Sequence, residues 1–273
     1  MYDRVILPID GSQRALAPLP YAEHLARTWR RQLEVLHVAT DHDGPPVTPP
    51  EDYDLTVVEA PAAAPAICDH ARTSEPPALL CMASRGRTAV GEALFGTVTA
   101  QVIRHLHAPL VVTGPKLLAA APTPLAPTQE PDLRRLLVCL DGSATSASIL
   151  PTARTWASEL GLELILLHIT YPLGDPRIGE LTVPEETREV TAQLRRTAHE
   201  LTNVGIDATW HVIEDTHPPT GIIHQATHRG ADLIVMATHG RTGLARMLTG
   251  SVTTEVVRTA PMPVLTLRPE HLT

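Results

Sequence analysis

Short apolar runs separated by longer stretches of mixed polarity set the rhythm of this chain. Asp3 to Asp10, DRVILPID, is an apolar run bounded by charge and followed by Gly11-Ser12, the pattern of a buried parallel strand entering a turn. Arg134 to Ser143, RRLLVCLDGS, repeats it, with Asp141 in the place of Asp10. The register persists, because His37 has its counterpart in His168, and an internal duplication is the economical explanation. After each turn comes a helical segment with an early proline, Pro20 or Pro151, which only a first turn tolerates. Second strands are predicted over Leu33 to Val38 and over Leu162 to Ile169.

There the copies diverge. In the second, Thr182 and Glu185 form a capping box, Val190, Leu194, Ala198 and Leu201 line one helical face, and Gly205 stops the helix. In the first, the stretch Asp41 to Asp54 has four prolines, which forbid a comparable helix. Both copies continue with a third strand, Leu55 to Val58 or Thr209 to Ile213, and a short helix around Ile67 or Ile222. A fourth strand then runs into a glycine loop. In the following helices Val98, Val102, Ile103 and Leu106, or Val252, Val256 and Val257, are spaced to bury one side. Fifth strands follow Pro109 and Pro261.

Strands alternating with helices predict an α/β fold, two doubly wound domains that are each a five-stranded parallel sheet. The domains are expected at 1–115 and 133–273, joined by a Pro/Ala-rich linker at 116–132 that has no strand pattern. A parallel sheet is covered on both faces, so the linker, the neighbouring repeat or a second chain should cover the gap left by the missing helix.

Composition refines this picture. Of the 273 residues 43% are apolar but only 3% aromatic, so the cores must be aliphatic. The formal charge of −8 argues against a nucleic-acid surface, which needs clustered Lys and Arg. Cys68, Cys81 and Cys139 form no CxxC pair and no metal spacing, and Cys81 and Cys139 read as core thiols. The N-terminus has no signal-peptide pattern, and no apolar run approaches the ~18 to 20 residues needed to span a bilayer. A cytoplasmic protein with no membrane partner is expected.

The candidate chemistry lies in Ala78 to Thr97, ALLCMASRGRTAVGEALFGT, and Asp232 to Ser251, DLIVMATHGRTGLARMLTGS. Nine residues separate Gly86 from Gly96 and Gly240 from Gly250, and Thr97 or Ser251 follows. A strand feeding a helix N-terminus through a glycine loop suits phosphate, because backbone N–H groups and the helix dipole both favour an anion. Arg87 and Arg241 share one motif position, where phosphate contact and a solvated surface role are both open. Asp10 and Asp141 could accept hydrogen bonds from a ribose or base, or could cap their own turns. His37 and His168 read as hydrogen-bonded core residues, since neither has a candidate acid or nucleophile partner. No catalytic set and no metal set can be named.

With its paired Gly-x9-Gly-Ser/Thr loops, its Asp10 and Asp141 turns, and phrases such as VMATHGRTG and SVTTEVVRTAPMPVL, the chain resembles a tandem universal stress protein. The resemblance covers nearly everything outside the linker. It implies the adenine-nucleotide hydrolase-like strand order 3-2-1-4-5 and a ligand, ATP, with or without Mg2+. In the first repeat it implies a site of Pro8, Ile9, Asp10, Val38, Ala83, Gly86, Arg87, Gly96, Thr97 and Val98. In the second it implies Leu140, Asp141, Ile169, Ala237, Gly240, Arg241, Gly250, Ser251 and Val252.

Ala83 and Ala237 replace the motif's first glycine, and a positive φ there would strain them. The family further implies pairing of the two fifth strands into an intrachain pseudo-dimer, or a homodimer, and a regulatory role with protein partners in stress response. The second repeat, with its complete helix set, is the expected tighter site. An enzyme is disfavoured, slow ATP hydrolysis aside, because no lysine occupies a P-loop position. The alternative is a dimerisation or interaction module that binds no nucleotide.

Overall fold

The structure, a computed structural model, describes residues 2–40, 47–49, 52–73, 75–84, 96–120, 130–171, 185–238 and 252–269. The first repeat contains β1 (Arg4–Pro8), α1 (Leu19–Thr28), β2 (Gln32–Ala39), β3 (Leu55–Glu59), α2 (Ala63–Ala71), β4 (Leu79–Ala83), α3 (Thr97–His105) and β5 (Leu110–Thr113). A short helix, α4 (Pro115–Ala120), follows. The second repeat contains β6 (Arg135–Cys139), α5 (Ala144–Ala147), α6 (Leu150–Leu160), β7 (Glu163–Thr170), α7 (Glu185–Asn203), β8 (Ala208–Glu214), α8 (Pro218–His228), β9 (Leu233–Ala237), α9 (Val252–Thr259) and β10 (Val264–Leu267).

By packing, the chain divides into two compact units, Met1–Asp132 with Val257–Thr273, and Leu133–Val256. In the first, the strands run in the order β3-β2-β1-β4-β5-β10. The first five are parallel. β10 lies antiparallel to β5, with Val264 opposite Val112 and Thr266 opposite Leu110, so the expected pairing of the two fifth strands is present. In the second unit the order is β9-β6-β7-β8, all parallel.

Aliphatic strands make the cores. Every residue of β4 and of β9 is buried, as strands covered on both faces require. Cys68, Cys81 and Cys139 are buried free thiols. Burial pushes Cys139 up to about 12 and Cys81 up as well, so neither supplies a thiolate at neutral pH.

Where the repeats differ, packing shows the consequence. Val190, Leu194, Ala198 and Leu201 form the buried stripe of α7, which packs on β7 and β8. The capping residue Thr182 lies outside the described residues. Between β2 and β3 there is no helix among the described residues. The cost appears at Val57, which pairs with His37 and is 54% exposed, whereas Val212, pairing with His168, is half-buried. The linker does reach the first repeat, since Glu130 pairs with His24 at 3.0 Å and with Arg27 at 3.1 Å, both on α1. The stretch after Gly114 opens as the helix α4, begun by Pro115.

At the amino ends of the first unit's strands a charged cluster ties α2 to the sheet. Glu34 makes an ion pair with Arg4 at 2.7 Å and accepts from His70 Nε2 at 2.9 Å. Burial pushes the Glu34 carboxyl up, but the bond and charge of His70, with help from Thr56 and Arg4, outweigh it and hold the group below its ordinary 4.5. A carboxylate depressed on folding stabilises above its unfolded pKa, and that stability is lost as pH falls through the folded value. Glu34→Gln is therefore expected to flatten the loss of stability below pH 4.5, measured by urea unfolding across a pH series. An unchanged slope would count against the cluster.

Candidate functional site

Each repeat begins with a strand flanked by its second strand on one side and its fourth on the other, β1 between β2 and β4, and β6 between β7 and β9. Strand order reverses there, and the crevice beyond the carboxyl ends is where such sheets receive ligands.

Pro8 and Ile9 are buried, and Asp10 is half-buried at the crevice. Ile9 N–H donates to Leu36 O at 2.8 Å, keeping the end of β1 against β2. Asp10 Oδ1 then accepts from the Ser12 N–H at 3.0 Å and the Ser12 hydroxyl at 2.6 Å. Gly11 supplies the positive φ of 81° that this tight turn needs. Ser12 Oγ in turn accepts from Ala15 N–H at 3.3 Å.

The second repeat reproduces the device. Leu140, also buried, donates to Leu167 O at 2.8 Å. Asp141 Oδ1 accepts from Ser143 N–H at 3.0 Å and Ser143 Oγ at 2.6 Å, and Gly142 stands at φ 82°. Here Ser146 adds a bond, its hydroxyl accepting from Asp141 N–H at 3.1 Å. One carboxylate oxygen of each aspartate therefore serves its own turn.

His37 and His168 are each only 8% exposed. Their Nδ1 atoms lie 3.1 Å from Ile9 O and 2.8 Å from Leu140 O. A carbonyl only accepts, so Nδ1 carries the proton in both. The histidines thus pin the end of the second strand to the end of the first, and Val38 and Ile169 are the residues next to those pins.

On the other flank, β4 ends at Ala83 and β9 at Ala237, both buried. Neither alanine has a positive φ, so the methyl that replaces hydrogen is unstrained in each copy. The loop after β4 is closed at its neck, where Gly96 N–H donates to Ser84 O at 2.8 Å and Ser84 N–H donates to Thr113 O at 2.8 Å. Gly96 is the N-cap of α3 and has no side chain with which to cap it.

Two threonines that the sequence reading overlooked fix the helices to the strand ends. Thr99 Oγ1 donates to Ala83 O at 2.9 Å, and Thr253 Oγ1 donates to Ala237 O at 3.2 Å. Both are only 4% exposed. Their signal was the threonine recurring at the same offset in Gly96-Thr97-Val98-Thr99 and Gly250-Ser251-Val252-Thr253.

These anchors correct the expected helix faces. Val98 and Ile103 are half-buried and Val252 is 36% exposed, while Thr99, Val102 and Leu106, or Thr253, Val256 and Val257, face inward. Periodicity counts apolar residues, whereas the hydroxyl–carbonyl bond turns the first helical turn by a different rule. The structure thus gathers Pro8, Ile9, Asp10, Val38, Ala83, Gly96, Thr97 and Val98 on the carboxyl-edge segments of one repeat. It gathers Leu140, Asp141, Ile169, Ala237 and Val252 on those of the other. Gly86, Arg87, Gly240, Arg241, Gly250 and Ser251 lie outside the described residues. No helix is long and apolar enough to cross a membrane among the described residues.

A model of the universal stress protein family matches residues 54–114 and 132–268. A universal stress protein of Mycobacterium bovis is 31% identical over 206 residues, 72% of this chain and 61% of that protein. One of Mycolicibacterium smegmatis is 26% identical over 223 residues, 80% of this chain and 71% of its own length. The chain thus spans less than two thirds of the first of these relatives. In fold, it is similar to the crystal structure of a universal stress protein from Archaeoglobus fulgidus, with a TM-score of 0.68 at 19% identity over 98% of each chain.

Proposed function

The chain belongs to the universal stress protein family, and from that premise we propose that each of its repeats holds an adenine nucleotide, ATP with or without Mg2+. The domains at 1–115 and 133–273 are the two binding units, and 116–132 joins them. Nucleotide occupancy regulates contacts with partner proteins, or with a second copy, in the cytoplasm. The role is regulatory and not catalytic.

What carries this reading is the duplicated carboxyl edge, an aspartate turn beside a strand whose following loop leads into a helix start. In the first repeat the loop's neck closes through Gly96 and Ser84, and Gly96 leaves the first N–H groups of α3 without a side-chain cap. Such donors favour phosphate. Asp10 and Asp141 are the carboxylates assigned to ribose or base. Gly86, Arg87, Gly240, Arg241, Gly250 and Ser251 complete the proposed sites.

Titration calorimetry with ATP on nucleotide-stripped protein is expected to give two sites per chain, the second repeat binding more tightly. Absence of both heat and thermal shift at millimolar ATP would overturn the proposal. It would favour an interaction module, a reading that the use of Asp10 and Asp141 in their own turns supports. Steady ATP turnover that Asp141→Ala abolishes, with binding retained, would make the protein an enzyme.

A further inference from the structure

Helix α8 carries His224 and His228 one turn apart on a solvent-exposed face. Their rings lie stacked, 2° from parallel, with centroids 6.1 Å apart. Residues four apart on a helix project side by side, and two histidines at this spacing are a chelating pair wherever a helix binds a borderline metal ion. We infer that this pair binds a divalent transition-metal ion, of the class of Zn2+, Ni2+ or Cu2+, with water filling the remaining positions.

Four observations support the assignment. First, reach is sufficient: with metal–nitrogen bonds of about 2.0–2.1 Å, two imidazoles on one tetrahedral ion have centroids about 5 Å apart, and rotation of both exposed rings out of their parallel stack, until the two planes meet at the ion, closes the chelate. Second, the platform is rigid. Ile222, Gln225 and Ala226 bury the opposite face of α8, and Arg229 at its end donates to Gln225 Oε1 at 3.0 Å and to His211 Nε2 at 2.8 Å. Third, little competes for the rings. Gln225 Nε2 stands 3.4 Å from His224 Nδ1, the long limit of a hydrogen bond. Coordination through His224 Nε2 moves the ring proton to Nδ1 and gives up only that contact. Fourth, the ligand set selects the metal, since imidazole suits Zn2+, Ni2+ and Cu2+ while Mg2+ and Ca2+ require oxygen.

His211 is not a third ligand. Its Nε2 already accepts from Arg229 at 2.8 Å, which places a guanidinium charge at the ring. The proposed site is thus open and two-coordinate from protein, and it stands independently of the nucleotide reading.

The test is titration of the full chain, free of added histidines and of nucleotide, with Zn2+ alone and then in excess Mg2+. One Zn2+ is expected in the tightest class, unaffected by Mg2+. His224→Ala or His228→Ala is expected to weaken that class about a hundredfold, because a single remaining donor loses the chelate gain. Both side chains are exposed, so unchanged thermal unfolding without metal verifies that the variants fold. Thr227→Ala, a neighbour on the same helix, is expected to bind as the parent does. Parent-like Zn2+ affinity in both histidine variants would overturn the inference, as would equal weakening by Thr227→Ala.

Discussion

Gly114→Ala is expected to destabilise the first unit by about 3 kcal/mol, near the upper end of overpacking costs. An added Cβ would run into the carbonyl oxygen of Val257, with the Val257 carbonyl carbon at 3.3 Å and Ala260 O at 3.7 Å behind it. All three obstacles are backbone, so no side-chain rotation relieves the collision. The displacement would pass straight into the sheet, because Gly114 follows β5, whose Val112 pairs with Val264 of β10. Scanning calorimetry should register a fall of roughly 6–12 °C in the transition of the affected unit. Gly161→Ala provides the scale. Gly161 caps α6 at φ 67° with nothing within 4 Å, so its exchange costs only the left-handed strain, about 1 kcal/mol. Equal effects at the two glycines would contradict the steric account.

Gly142→Ala is expected to be nearly as costly, about 2–3 kcal/mol, and to reduce ATP stoichiometry from two to one per chain. Two penalties coincide there. The backbone stands at φ 82°, and an added Cβ would meet Val190 Cγ2 of α7, with Val190 Cβ and Cγ1 at 3.7 Å. The turn would have to open, taking with it the Asp141 carboxylate that accepts from Ser143. Val190→Ala in the same chain removes the collision but leaves the torsion. The double variant should therefore recover about 1 kcal/mol relative to the sum of the singles. Strict additivity would mean that α7 does not buttress the turn. Two ATP bound to Gly142→Ala would mean that the Asp141 turn lies outside the ligand site.

Much of this architecture was legible because strands buried on both faces leave uninterrupted aliphatic runs. LLVC and LIVMA announce β6 and β9 without any knowledge of their neighbours. Prolines likewise foretold that the described residues between β2 and β3 contain no helix. What remained hidden depended on torsion or on polar bonding. Whether Ala83 and Ala237 are strained is a statement about φ, which composition does not encode. Thr99 and Thr253 are polar residues on a buried helical side, and pattern reading assigns such positions outward until a carbonyl partner is seen. That same blindness turned Val98 and Val252 inward on paper. In α4, Pro115 starts a helix, because a missing N–H costs nothing at a first turn.

The antiparallel pairing of β5 with β10 has a consequence for dosage. These strands come from different repeats yet belong to one polypeptide, so their association is first-order and does not respond to dilution. A cell that makes ten copies of this chain has the β5–β10 contact formed in all ten. Abundance therefore cannot switch that contact on or off, and each strand withholds from foreign chains an edge that a solitary repeat would leave open.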